Sequence, residues 1–74
     1  MRGGYKEMNV IELLNYDNVG LTFSMLCSGY EITQVKIMKN PEERLEIIDI
    51  YSGFLIEEVF DLQTIVSSEF MEVN

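Results

Sequence analysis

The chain predicts an α+β fold: a small antiparallel β meander of three to five strands with a C-terminal helix packed on one face. Three observations point there. Leu21 to Ser28 alternates apolar and polar side chains with a period of two. Turn signals recur between apolar runs, at Asp17-Asn18-Val19-Gly20, Ser28-Gly29, Asn40-Pro41-Glu42-Glu43 and Ser52-Gly53. From Glu57 onward the apolar spacing becomes helical. A small all-β barrel is the alternative arrangement of the same runs.

Residues 1–7 differ from the rest of the chain, because Gly3-Gly4 and a lack of periodicity suggest a disordered leader. Arg2-Gly3-Gly4 can also be encoded as a purine-rich ribosome-binding sequence, with Met8 at a suitable spacing to be the native start. Residues 8–74 then form one small domain. Asn9 to Tyr16 fits a helical stripe through Val10, Leu13 and Leu14, and also an alternating strand. The adjoining turn and the clear strand beyond it favour a strand here.

Leu21, Phe23, Met25 and Cys27 share one face of the next strand, with Leu26 breaking the pattern. Cys27 is expected to be a small buried hydrophobe. Tyr30 to Lys39 is a second strand rich in β-formers, and its shift of parity between Ile32 and Val35 suggests a bulge or a two-sided strand. Pro41 presets φ for a turn, and Arg44 to Tyr51 returns as a third strand. Phe54 to Phe60 reads as strand or helix. The expectation is a short strand at Phe54-Leu55-Ile56, then a helix from Glu57 to about Ser67. Val59, Leu62, Val66, Phe70 and Val73 form its apolar stripe.

A chain of 74 residues buries only about 60–65% of its unfolded surface, so its core is small. One cysteine rules out an internal disulfide. With no histidine and a lone thiol, a structural zinc site is excluded. Oligomerisation is the remaining staple, and a homodimer is the expectation. No apolar run approaches the ~20 residues of a membrane span. The expected location is the cytoplasm of a bacterial cell.

The absence of histidine removes the commonest general base and any Ser-His-Asp triad. No phosphate-cradling glycine motif is present, and the carboxylates lack calcium-loop spacing. The chain is therefore expected to be neither an enzyme nor dependent on a metal or cofactor.

Charge is the remaining feature. The first 41 residues carry four acids and four bases, whereas Glu42 to Asn74 holds nine of thirteen carboxylates against one cation, Arg44. The net charge of −8 thus resides in the C-terminal part. It disfavours direct contact with nucleic acid or anionic membrane and favours a basic partner. The candidate partner-binding residues are Glu42, Glu43, Glu46, Asp49, Glu57, Glu58, Asp61, Glu69 and Glu72. At strand or helix spacing such carboxylates can imitate backbone phosphates.

In this acidity, shortness and lack of catalytic residues, together with the Arg2-Gly3-Gly4 leader, the chain resembles the small acidic DNA-mimic proteins with which bacteriophages disarm host factors. The resemblance implies an inhibitor of a basic, DNA-binding host protein, for example a nucleoid protein such as HU. It transfers no site residues. The alternative is an adaptor or structural protein of a phage or bacterium, using an apolar patch of Phe54, Leu55, Ile56, Phe60 and Phe70. In that case the acids serve solubility.

Overall fold

Phe23 and Met25 are completely buried while Thr22 and Ser24, which alternate with them, are half-buried. This is the expected alternation, and it forms β1 (Thr22–Cys27). The computed structural model describes residues 6–73. The expected leader, residues 1–7, therefore lies outside the described residues for its first five positions.

β2 (Tyr30–Lys39) pairs antiparallel with β1, and β3 (Leu45–Asp49) pairs antiparallel with β2. Ser28 and Gly29 join β1 to β2 with φ of 54° and 83°, values that a glycine adopts at little cost. The register slips between Met25 and Leu26, whose partners are Thr33 and Glu31, leaving Ile32 as the extra residue. Of the two readings of the parity shift, a bulge or a two-sided strand, this is the bulge. At the next turn Asn40 Oδ1 accepts from the N–H groups of Glu42 and Arg44, each at 2.9 Å. Glu43 adopts a φ of 69° there.

After β3 the chain forms α2 (Ile56–Val59) and α3 (Leu62–Ser67), then β4 (Glu69–Glu72), which returns to pair antiparallel with β1. The sheet order is β3-β2-β1-β4. It is an open four-stranded sheet and not a closed barrel, so the all-β barrel is corrected.

Two further readings are corrected. Asn9 to Tyr16 is not a strand: α1 spans Val10–Leu13, followed by a single 3-10 turn over Tyr16–Asn18. The local hydrogen bonds are the reason. Asn9 Oδ1 accepts from the Glu12 N–H at 2.8 Å, while Glu12 Oε1 accepts from the Asn9 N–H at 3.0 Å. This reciprocal box satisfies two donors at the helix start. A four-residue helix is unstable alone, and burial of Leu13 anchors this one.

The expected helix from Glu57 to Ser67 is in fact two short ones. Phe60 is extended, with φ −127° and ψ 153°. It packs against the core, and Asp61 starts α3 afresh by accepting from the Thr64 N–H at 2.8 Å. The stripe through Val59, Leu62 and Val66 therefore faces solvent, whereas Ile56 and Ile65 are buried. Phe70, placed on the same stripe, is buried in β4 opposite Met25.

The core lies between one face of the sheet and the helices. It consists of Leu13, Phe23, Met25, Val35, Ile37, Ile47, Ile56, Ile65 and Phe70. Cys27, expected to be buried there, is half-buried at the end of β1 opposite Tyr30. It is the last residue of β1 and lies beyond the pairing with β4, which ends at Leu26.

Candidate functional site

The nine candidate carboxylates do not form one row. β3 and β4 are opposite edges of the sheet, about 14 Å apart at ~4.8 Å per strand step. Glu46 belongs to β3, and Glu57 and Glu58 to α2, which packs on β3. Glu42 and Glu43 lie in the turn that enters β3. Glu69 and Glu72 are on β4. The β3 side thus collects five candidates and the β4 side two.

Asp49 and Asp61 serve the fold. Asp49 is 3% exposed and has no surface to offer a partner. The Thr33 hydroxyl donates to its Oδ1. Its Oδ2 accepts from the Ser52 hydroxyl at 2.6 Å and the Ser52 N–H at 3.0 Å. Burial by itself raises this carboxyl's pKa, but the bonds from Ser52 and Thr33 together outweigh it, and the pKa lies below the usual aspartate value. Asp49 therefore holds the turn that leaves β3. Asp61 is exposed, and its capping bonds from Thr64 also lower its pKa.

Neutralisation separates the rest. Arg44 pairs with Glu42 at 3.1 Å and Lys39 with Glu43 at 3.3 Å. Among the described residues no ion pair reaches Glu46, Glu57, Glu58, Glu69 or Glu72. Asn40 Nδ2 does donate to Glu46 at 3.1 Å. No three His, Cys, Asp or Glu side chains among the described residues gather as metal ligands would. No helix among them is long and apolar enough to cross a membrane.

Beside β3 the helical layer leaves a cleft of about 330 Å³. Val10 and Leu14 from the α1 segment form one wall, and Ile56, Leu62 and Ile65 the other. Leu45 and Ile47 make its floor, with Glu46 and Glu57 also lining it. Leu62 is 73% exposed, so the outer wall is apolar surface open to water. Sequence reasoning missed this cleft. Its legible trace was the Val10–Leu14 spacing, which only a helix turns to one side. The five-residue patch of the adaptor reading is dispersed instead: Phe54 is exposed, Leu55 and Phe60 are half-buried, and Ile56 and Phe70 are core residues.

The two sheet edges end differently. The outer side of β4 is bridged by Met8, whose N–H donates to the Phe70 carbonyl at 2.9 Å and whose carbonyl accepts from the Phe70 N–H at 2.7 Å. On β3 the phase is set by the Asn40 N–H bond to the Arg44 carbonyl and the Ile50 N–H bond to the Gln34 carbonyl. Residues of an antiparallel strand alternate in facing the neighbour. Glu46 and Ile48 therefore bond to β2, and Leu45, Ile47 and Asp49 turn their amides outward. Asp49 is satisfied by the chain itself: its N–H donates to the Phe54 carbonyl and its carbonyl accepts from the Gly53 N–H, both at 2.8 Å. The bridge from Ile48 to Leu55 sets Leu55 and the start of α2 beside Ile48 and Ile47, and Ile47 is buried. No acceptor beyond the sheet is found among the described residues for the N–H of Leu45 or Ile47. The chain matches no protein-family model, no curated protein and no solved structure.

Proposed function

We propose that the chain is a non-enzymatic acidic binding protein that inhibits a basic, DNA-binding host protein, such as the nucleoid protein HU, by offering carboxylates in place of phosphates. The observation that carries this reading is the absence of neutralising partners. Glu46, Glu57 and Glu58 gather on the β3 side with no ion pair among the described residues. Unneutralised like charges cost stability through self-repulsion, and a cationic partner relieves that cost. Glu42 and Glu43 join the surface once they exchange Arg44 and Lys39 for cations of the partner. Such pairs contribute little, about 0–1 kcal/mol. Glu69 and Glu72 extend the field on the other edge without continuing the row.

The test is a pull-down from bacterial lysate with the tagged chain, at low and moderate salt, with and without competitor DNA, read by mass spectrometry. Retention of one basic DNA-binding protein, its release by salt or DNA, and its loss with the Glu57→Lys/Glu58→Lys variant are the expected results. Charge-driven contacts weaken as the Debye length falls toward about 8 Å at physiological ionic strength. Retention indifferent to salt, DNA and charge reversal would overturn the reading.

A further inference from the structure

We infer that the helix-free face of the sheet is a two-fold interface, on which a second copy of this chain packs face to face as a weak dimer. The inference is independent of the acidic-binding reading, because Glu57 and Glu58 belong to α2, which packs on the opposite face.

Layering supplies the first argument. Leu13, Ile56 and Ile65 anchor all three helices in one core with Phe23 and Ile37. Side chains alternate across a strand, so the intervening residues form the other face, and no helix among the described residues covers it. Two rows cross this face. One runs Ile48, Lys36, Thr22, Val73, and the next runs Ile50, Gln34, Ser24, Met71. The face is thus apolar at both margins, where Ile50 and Val73 are exposed and Ile48 and Met71 half-buried.

Register chooses the occupant. A two-fold axis that lies in the interface, runs across the strands and passes between the two rows lays each row over the other row of the second copy. Ile48 then meets Ile50, and Val73 meets Met71, in both halves of the dimer. Charge agrees with the same axis. Lys36 is exposed in the interior of the face, and among the described residues it has no ion pair. Glu31, also without one, is held over the second row. Its Oε1 accepts from the Ser24 hydroxyl at 2.7 Å and from Gln34 Nε2 at 3.5 Å. The axis sets each Lys36 over the row in which the second copy holds Glu31, so this pair forms twice. An unrelated apolar partner would bury Lys36 without a counter-charge, whereas a second copy supplies one.

The other acids do not oppose this packing. Glu46 and Glu69 lie at diagonal corners of the face, and each would stand about 20 Å from its own copy, three row spacings of ~6.7 Å. Glu57 and Glu58 stand behind two sheets that pack ~10 Å apart. These separations exceed the Debye length of about 8 Å at physiological ionic strength. Four strands at ~4.8 Å and six residues at ~3.3 Å give a face of roughly 400 Å² per copy. That is about half of the ~800 Å² per partner in a standard interface, so the dimer is weak and reversible.

The test is sedimentation and backbone NMR of the full chain from about 10 μM to about 1 mM. The mass should rise toward twice 8.6 kDa, with shifts at Lys36, Ile48 and Val73 and none on α2 or α3. Lys36→Glu and Glu31→Lys, both at exposed positions, should each weaken self-association about tenfold or more, because like charges then meet across the axis. An equimolar mixture of the two variants should dimerise again. Lys36→Glu brings two acids and Glu31→Lys two bases, so both cross-axis pairs return. Circular dichroism checks that the variants fold, and the parent's dilution series decides the face even where one does not. A chain that stays monomeric, or shifts confined to the helical side, overturns the proposal. Single variants that mixing does not rescue overturn the two-fold register. A dimer that forms only after removal of residues 1–5 assigns the face to that segment and overturns the second copy as its occupant. Capture of a basic protein through Glu57 and Glu58 is untouched by any of these results, so the two readings fail separately.

Discussion

The two edges of this sheet carry similar amounts of strand, and different parts of the chain cover each of them. At β4 the chain closes the near end, where Met8 exchanges two backbone hydrogen bonds with Phe70, and no bond among the described residues reaches the outward amide of Glu72. At β3 the chain closes only the far half, through the Asp49–Phe54 and Gly53–Asp49 bonds and the Leu55 bridge. The near half, Leu45 to Ile47, borders an apolar cleft and an unneutralised acidic surface. Exposed edges recruit other strands unless blocked. The contrast therefore separates an edge covered by the N-terminal segment from one covered by the turn after β3 and the start of α2.

The most severe way to break the comparison is to remove the anchor of the closed edge. Phe70→Ala deletes a fully buried ring that sits opposite Met25 and should cost about 3–5 kcal/mol. In a domain this small, denaturant titration should show a largely unfolded protein at 37 °C.

On the other edge, Asp49→Ala leaves the Thr33 and Ser52 hydroxyls and the Ser52 amide without their acceptor, at about 1–3 kcal/mol. The same carboxyl predicts a pH dependence. Its folded pKa lies below the ordinary aspartate value, so the unfolded chain binds its proton first as pH falls. Its stabilisation is complete above the unfolded value and is lost as pH drops through the lower folded one. Unfolding curves between neutral and strongly acidic pH should show this loss in the parent chain. They should show a shallower dependence in Asp49→Asn.

Met8→Pro removes one of the two bonds that close β4 and should cost about 1 kcal/mol. Faster exchange of the Phe70 amide and some self-association through β4 are the outcomes to measure. If exchange at Phe70 is unaffected, Met8 does not protect that edge. The smallest effect on stability belongs to Glu57→Lys and Glu58→Lys, both exposed on α2. Thermal melts should move by no more than about 0.5 kcal/mol equivalent, or rise slightly as like charge is relieved. The same changes should abolish capture of the basic partner. That split between stability and binding would mark the β3 side as functional surface.

How much was legible depended on whether the signal was local. The Phe23–Met25 alternation, the Ile32 bulge and the turns at Ser28-Gly29 and Ser52-Gly53 were all visible in residues close in sequence. Asn9 and Glu12 were equally local but overlooked: an Asn with Glu three residues later is a helix-start pattern, and it outweighed the neighbouring strand signal. Asp61 with Thr64 was a similar missed cap. β4 left almost no trace, because four residues are too few to establish a period, and Phe70 served a helical stripe as well as a strand.

The sequence alone determined the charge asymmetry, the antiparallel meander of the first three strands and the shortage of conventional catalytic groups, since these depend on composition and on neighbours two to four residues apart. Tertiary structure alone decided that Glu69–Glu72 becomes a strand beside β1, that Asp49 leaves the acidic surface for the core, and that Val10, Leu45 and Leu62 meet around one cleft. Each of those outcomes depends on contacts between residues far apart in the chain. Their burial and hydrogen bonding exceed the few tenths of a kcal/mol by which local propensities differ.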